Sequence, residues 1–266
     1  MIKNKILFFF LIFCLQVFSQ DEENLKLWYN ASSGQVWENA LPIGNGFQAA
    51  MVYGNVDKEI FQLNETTVWS GSPNRNDNPN ALEALPKVRK LVFEGHYKEA
   101  ENLANEKIIT KKSHGQMFQP VGNLELTFTG QDNYSNYCRE LDIQKAITKT
   151  SYSVNGVTYS REAFTSFSDR VMVIKLSSDK VGKVSFSAAF TSQHVKQHIK
   201  VNGENELSLW GTTSDHDGVE GKVEFNALAR IKTDGGNITN TGNSVNIENA
   251  NSVLIFVFIL IRRVFY

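Results

Sequence analysis

The run Val184-Ser185-Phe186-Ser187-Ala188-Ala189-Phe190-Thr191 sends Val184, Phe186, Ala188 and Phe190 to one side and Ser185, Ser187, Ala189 and Thr191 to the other. A period of two is the spacing of a strand with one face buried. The same period recurs upstream, where Leu124, Leu126 and Phe128 alternate with Glu125, Thr127 and Thr129, and downstream in Val223, Phe225, Ala227, Ala229 and Ile231. Tyr152 to Tyr159 reads as a hairpin whose Asn155-Gly156 supplies the two positive φ values of a type I′ turn. No proline follows Pro120, so every later ladder is free to donate its hydrogen bonds. Many short strands at regular spacing, with turn residues between them, predict a mainly β chain folded as a two-sheet sandwich.

Before Gly122 the pattern is different. Asn74 to Asn80 carries Pro79 and four asparagines, a polar connection ending in Asn80 as a helix N-cap. Leu82, Leu85, Val88, Leu91 and Val92 then fall at helical spacing. Pro86 is expected to open a second helical turn, Gly95 to cap it, and Tyr97 to Ile108 to form another short helix. A small helical insertion over about residues 80–108 results.

The stretch Leu41 to Pro73, LPIGNGFQAAMVYGNVDKEIFQLNETTVWSGSP, is dense in glycine, asparagine and aromatics. Gly44, Gly46 and Gly54 mark positions of positive φ or close backbone approach. Ala49 to Tyr53 and Glu59 to Leu63 read as two strands with a tight connection, the second leading into Asn64, Glu65, Thr66 and Trp69. A carboxylate, amides and an indole at a strand end can face a sugar, the polar groups fixing hydroxyls and the ring covering the pyranose. They can equally cap a turn around a buried tryptophan. We expect Asn45, Asn64, Glu65 and Trp69 to gather at one rim of the domain, in contact with a sugar or with a neighbouring domain.

Trp37-Glu38-x-Ala40-Leu41-Pro42-Ile43-Gly44-Asn45-Gly46, then Ala50-Met51-Val52-x-Gly54 and Gln62-Leu63-Asn64-Glu65-x-Thr67-x-Trp69-x-Gly71-x-Pro73, resembles the N-terminal domain of glycoside hydrolase family 95. The likeness continues through Gly95-x-Tyr97-x-Glu99-Ala100, Gln119-Pro120-Val121-Gly122-Asn123-Leu124, Arg139-x-Leu141-Asp142 and Tyr159-x-Arg161-Glu162-x-Phe164-x-Ser166, and spans about residues 25–255. It implies a large β-sandwich with a helical insertion, preceding an (α/α)6 barrel. It also implies inverting hydrolysis of α-linked fucose or related galactose, in which one carboxylic acid protonates the leaving oxygen while water attacks from the far face. In the family the barrel contributes those groups, so no catalytic residue is assigned here and the glycan substrate is a partner only through the barrel. No cofactor or metal is implied.

At the N-terminus Lys3 and Lys5 precede the apolar run Ile6 to Leu15, and Val17-Phe18-Ser19 precedes Gln20, the pattern of a secretory signal over residues 1–19. The run is too short to span a membrane, and Phe13 before Cys14 does not suit lipidation. Residues 20–257 then form the sandwich domain of an exported protein, periplasmic or extracellular. They keep a single cysteine, Cys138, and hence no intramolecular disulfide. Less Lys3 and Lys5, 25 basic residues face 28 acidic ones, which excludes a nucleic-acid surface built on basic excess. Phe258 to Tyr266 does not resemble the family's sequence beyond the strand ending at Val257, and is read as an atypical apolar tail from truncation or a frameshift.

The remaining constellations carry less. Gly44-x-Gly46 has Ala49 where a dinucleotide loop needs glycine, and it precedes a strand. His194, His198 and His216 are read as scattered surface histidines without a metal, Cys138 as a buried inert thiol. Glu22-Glu23 is read as a terminal charge run and Asp215-x-Asp217 as a turn. Asn64, Asn133 and Asn237 begin glycosylation triplets. Two further readings stand beside the hydrolase domain: a free-standing carbohydrate-binding module, which needs Trp69 or Trp210 on an exposed face, and a purely structural sandwich.

Overall fold

The computed structural model describes residues 25–110 and 115–263. The expected signal segment, Cys14 and Glu22-Glu23 lie outside the described residues. In chain order the structure runs β1 (Lys26–Tyr29), a 3-10 turn (Trp37–Asn39), β2 (Leu41–Gly44), β3 (Gln48–Val52), β4 (Lys58–Glu65), α1 (Ala81–Phe93) and α2 (Tyr97–Lys107). It continues with β5 (Gly122–Thr127), β6 (Ser135–Asp142), β7 (Ile147–Val154), β8 (Val157–Ser166), β9 (Val171–Ser178) and β10 (Val184–Thr191). The last strands are β11 (Lys196–Asn202), β12 (Glu206–Thr212), β13 (Val223–Asp234), β14 (Asn237–Asn240), β15 (Ser244–Ala250) and β16 (Ser252–Arg263).

Two antiparallel sheets face each other. One has nine strands in the order β1-β6-β7-β8-β9-β16-β13-β12-β11, the other seven in the order β14-β15-β10-β5-β4-β3-β2. The period-two residues meet between them. Phe61, Leu63, Leu124, Leu126, Phe186 and Phe190 from the smaller sheet pack with Met172, Ile174, Leu207, Phe225, Ile231 and Ile255 from the larger. The sandwich with a small helical insertion, expected from the alternation and from the family resemblance, is therefore the observed fold. Asn155 and Gly156 take φ of 50° and 71° between β7 and β8, the turn that their identities demand. Of the three glycines in the opening stretch, Gly46 and Gly54 have positive φ, while Gly44 lies in β2 with Ala49 beside it.

Four local expectations are corrected. Pro86 sits inside one continuous helix, α1, and does not begin a second; the carbonyl it leaves without an N–H partner is that of Leu82, a residue 84% exposed, so water can serve it. Asn80 makes no side-chain cap; the Asn78 amide oxygen instead accepts from the Asn80 N–H at 3.0 Å. The helix closes as expected at Gly95, whose N–H reaches Val92 while His96 N–H reaches Leu91, a Schellman ending. His194 is buried in the segment between β10 and β11, its Nε2 2.8 Å from the Pro120 carbonyl and its ring 4.6 Å from Phe225. Cys138 is half-buried. Phe258 to Arg263, set apart in sequence, continue β16 and pair with β13 out to Val223↔Arg263.

A buried polar cluster joins the sheets at the start of β4. Glu59, fully buried, accepts from the N–H groups of Gly54 (2.7 Å) and Ile60 (3.1 Å). Arg161 of β8, 4% exposed, lies 3.3 Å from Glu59, donates to the Asn55 and Val56 carbonyls and to the Tyr152 hydroxyl, and stacks 3.8 Å over Phe128. Burial raises the Glu59 carboxyl above its ordinary range, with Arg161 and the two N–H groups pulling the other way. The Tyr152 phenol is pushed up to about 12, again chiefly by burial. Among the described residues no helix is long and apolar enough to cross a membrane.

Candidate functional site at the rim of the sandwich

The far end of β4 is open. Glu65 pairs with Gln48 across β3 and β4, and the Thr66 N–H donates to the Phe47 carbonyl at 3.0 Å, which binds the loop after β4 to the loop between β2 and β3. Asn45 holds that second loop. Its amide oxygen accepts from the Phe47 and Gln48 N–H groups, both at 3.0 Å, and its amide nitrogen donates to the Ser166 carbonyl at 2.7 Å. Ser166 ends β8 in the other sheet, so one asparagine ties the two layers together. Between the loops lies a groove of about 750 Å³, floored by Phe47, Gln48 and Glu65 and walled by Asp169, Arg170 and the strand end Phe258–Ile261.

The expected rim residues are brought to this end, but they do different work. Asn45 and Glu65 are both only 9% exposed and turn their polar atoms onto neighbouring backbone. Glu65 accepts from the Thr67 N–H at 2.7 Å and the Thr67 hydroxyl at 2.6 Å, the turn-capping alternative. Asn64 points to the outer face of the smaller sheet, where its amide donates to the Gln62 carbonyl at 3.3 Å. Trp69 is not a core residue: it is 44% exposed, meets Phe118 edge to face at 5.6 Å and donates to the Thr66 carbonyl at 3.0 Å. Only Glu65 of the four lines the groove itself.

Several groove residues escaped the sequence reading. Arg170, at φ 51°, lies 4.1 Å over the Phe47 ring, and Asp169 accepts from the Ser166 and Ser168 hydroxyls; these join Phe47 only through the fold. Gln48 had a legible signal, a polar side chain at the inward parity shared with Ala50 and Val52. It is 1% exposed and its amide nitrogen has no partner, a donor held in the groove floor without an acceptor. Among the described residues no group of His, Cys, Asp and Glu could hold a metal ion. Asp215 and Asp217 stand in the expected turn, where His216 bridges to Val219.

Residues 27–259 match the family described as glycosyl hydrolase family 65, N-terminal domain. Alpha-L-fucosidase 2 of Arabidopsis thaliana is 38% identical over 192 residues, 71% of this chain but 22% of that protein. An assigned alpha-fucosidase A of Aspergillus niger is 30% identical over 182 residues, 65% of this chain and 22% of its own. Its counterpart in Aspergillus oryzae is 26% identical over 252 residues, 87% and 32% of the two chains. The chain thus spans between about a fifth and a third of these relatives. A solved structure of a human-microbiome protein assigned as a kojibiose phosphorylase superposes with a TM-score of 0.50 at 10% identity, over 89% of this chain and 32% of that one, a likeness of fold alone. With the family match running from β1 into β16, and with the sandwich and its helical insertion in place, this chain belongs to the glycosyl hydrolase family 65 N-terminal domain family.

Proposed function

We propose that the chain is the non-catalytic N-terminal sandwich of an exported, fucosidase-like glycoside hydrolase of family 95 type, acting by inversion on α-linked fucose. One observation carries the reading: similarity to named α-fucosidases runs along most of this chain yet occupies only 22% of the plant relative. The rim chemistry agrees with a supporting role. Its two carboxylates accept from groups of their own loops, Glu65 from Thr67 and Asp169 from two serine hydroxyls, which gives each a part in holding the rim. The helical hairpin supports the need for more protein. α1 buries no residue, and Leu82, Phe93 and Tyr97 are 84%, 82% and 69% exposed, apolar surface of the kind that marks an interface.

In this reading the groove, with Gln48 in its floor and Asn45, Asn64, Glu65 and Trp69 around it, flanks a sugar site completed by another domain. The 266-residue chain should hydrolyse no α-fucoside, and its scattering should rise with concentration. Turnover above a heat-treated control, abolished by a substitution within this chain, overturns the proposal. In a full-length relative with the same rim, Gln48→Ala and Trp69→Ala should raise KM with little change in melting temperature; a loss of stability with normal kinetics removes the rim from the substrate's path. Export is checked by the N-terminal sequence of protein recovered outside the cell membrane, expected to begin near Gln20.

A further inference from the structure

We propose that the outer face of the nine-stranded sheet at Trp210 is a second carbohydrate site, taking a neutral pyranose unit of an oligosaccharide beside the rim groove, with which it shares Leu260 and Ile261. Antiparallel register sets His198, Trp210, Asn226 and Leu260 side by side on β11, β12, β13 and β16, with Lys196, Thr212, Glu224 and Arg262 as the next row on the same face. Those two rows floor a trough of about 520 Å³, within the range that holds small ligands.

The aromatic surface is held in place. Trp210, 38% exposed, stacks on the His198 ring at 5.4 Å with 28° between planes, which restrains the indole and leaves part of it in water. A half-exposed indole beside polar groups is the pairing that covers the C–H face of a sugar while hydroxyls are bonded at its edge.

The polar groups beside it retain bonding capacity. The Asn226 amide oxygen is buried without a partner, an unfavourable state that a ligand hydroxyl would relieve after a small turn of the amide. Glu224 and Arg262 lie 3.6 Å apart, and Lys196 lies 4.0 Å from Asp215, both beyond hydrogen-bond length. Lys196, Arg262 and Glu224 line the trough, with Asp215 outside it beside Lys196; this mixture of signs suits a polyhydroxyl ligand offering both donors and acceptors.

None of this depends on the fucosidase reading, and hydrolysis plays no part in the test. Titrate the 266-residue chain calorimetrically with methyl α-L-fucopyranoside, methyl β-D-galactopyranoside and cellohexaose. At least one should bind at millimolar concentration or below. Trp210→Ala should weaken that binding about tenfold, Trp210→Phe should keep most of it, and Trp69→Ala should leave it unchanged, all with unaltered melting temperatures. Absence of binding by all three sugars overturns the proposal, as does equal binding by Trp210→Ala. So does sedimentation showing that this face joins two copies, with Trp210→Ala monomeric and sugar without effect.

Discussion

The two ends of β4 place similar side chains in opposite circumstances. At its start Glu59 is sealed between the sheets, and its charge is met by Arg161 and two backbone N–H groups; six residues on, about 20 Å away, Glu65 borders a groove of about 750 Å³. Both carboxylates are bonded, but the first bonds across the sandwich and the second only within its own turn. Removing the first should therefore disturb the fold, and removing the second only a loop. The Trp210 face is the third circumstance, polar groups with capacity left over and little structural duty.

The largest effect should come from Arg161→Ala. It strands a buried carboxylate and empties the space over Phe128, a loss of about 3–5 kcal/mol at neutral pH in chemical denaturation. The sign with pH is a stricter test. Because the Glu59 pKa is raised, its ionised form is the less stable one in the folded state. Its contribution is fully favourable below the ordinary carboxylate range and is lost as pH rises through the shifted value. The penalty of Arg161→Ala should accordingly shrink when acid protonates Glu59; a penalty that is equal at pH 5 and pH 8 means the pair is not the pin between the sheets.

Next is Gly54→Ala. At φ 72° a β-carbon there would lie 2.7 Å from the Tyr137 hydroxyl and 2.9 Å from the Arg139 side chain, so about 1–3 kcal/mol should be lost. A neutral substitution shows that the loop can shift, which would weaken the contrast between a closed and an open end. Glu65→Ala should lose only about 1 kcal/mol, the worth of a capping side chain. A loss as large as that of Arg161→Ala would erase the distinction between the two ends of β4.

The smallest effect concerns His194. Burial holds its imidazole below the ordinary value of 6.5, so its contribution is present above that value and lost as pH falls through the lowered one. The difference in melting temperature between the parent and His194→Gln should narrow on going from pH 8 to pH 5.5. A difference that stays constant indicates a histidine whose pKa folding leaves unchanged, and one that widens in acid indicates a raised pKa; either overturns the reading.

The alternation in residues 124–129, 184–191 and 223–231 was enough to establish strands and a sandwich, because period two has meaning only for a surface buried on one side. Asn155-Gly156 and Gly95 likewise specified their turns alone, since few residues tolerate those φ values. The family was legible in ordered motifs whose spacing survives without coordinates. Other features required the fold. Pro86 stayed within α1 because the carbonyl it orphans can face water, a matter of exposure and not of identity. Phe258 to Arg263 look foreign in sequence, yet β13 offers a free ladder on which any extended apolar run can pair. At the rim, Asn45 reaches Ser166 and Phe47 meets Arg170 over more than 100 positions of chain. Trp210 gains His198, Asn226 and Leu260 as neighbours only through strand register. Local preference depends on adjacent residues, whereas a site depends on which distant strands share an edge, and only tertiary pairing decides that.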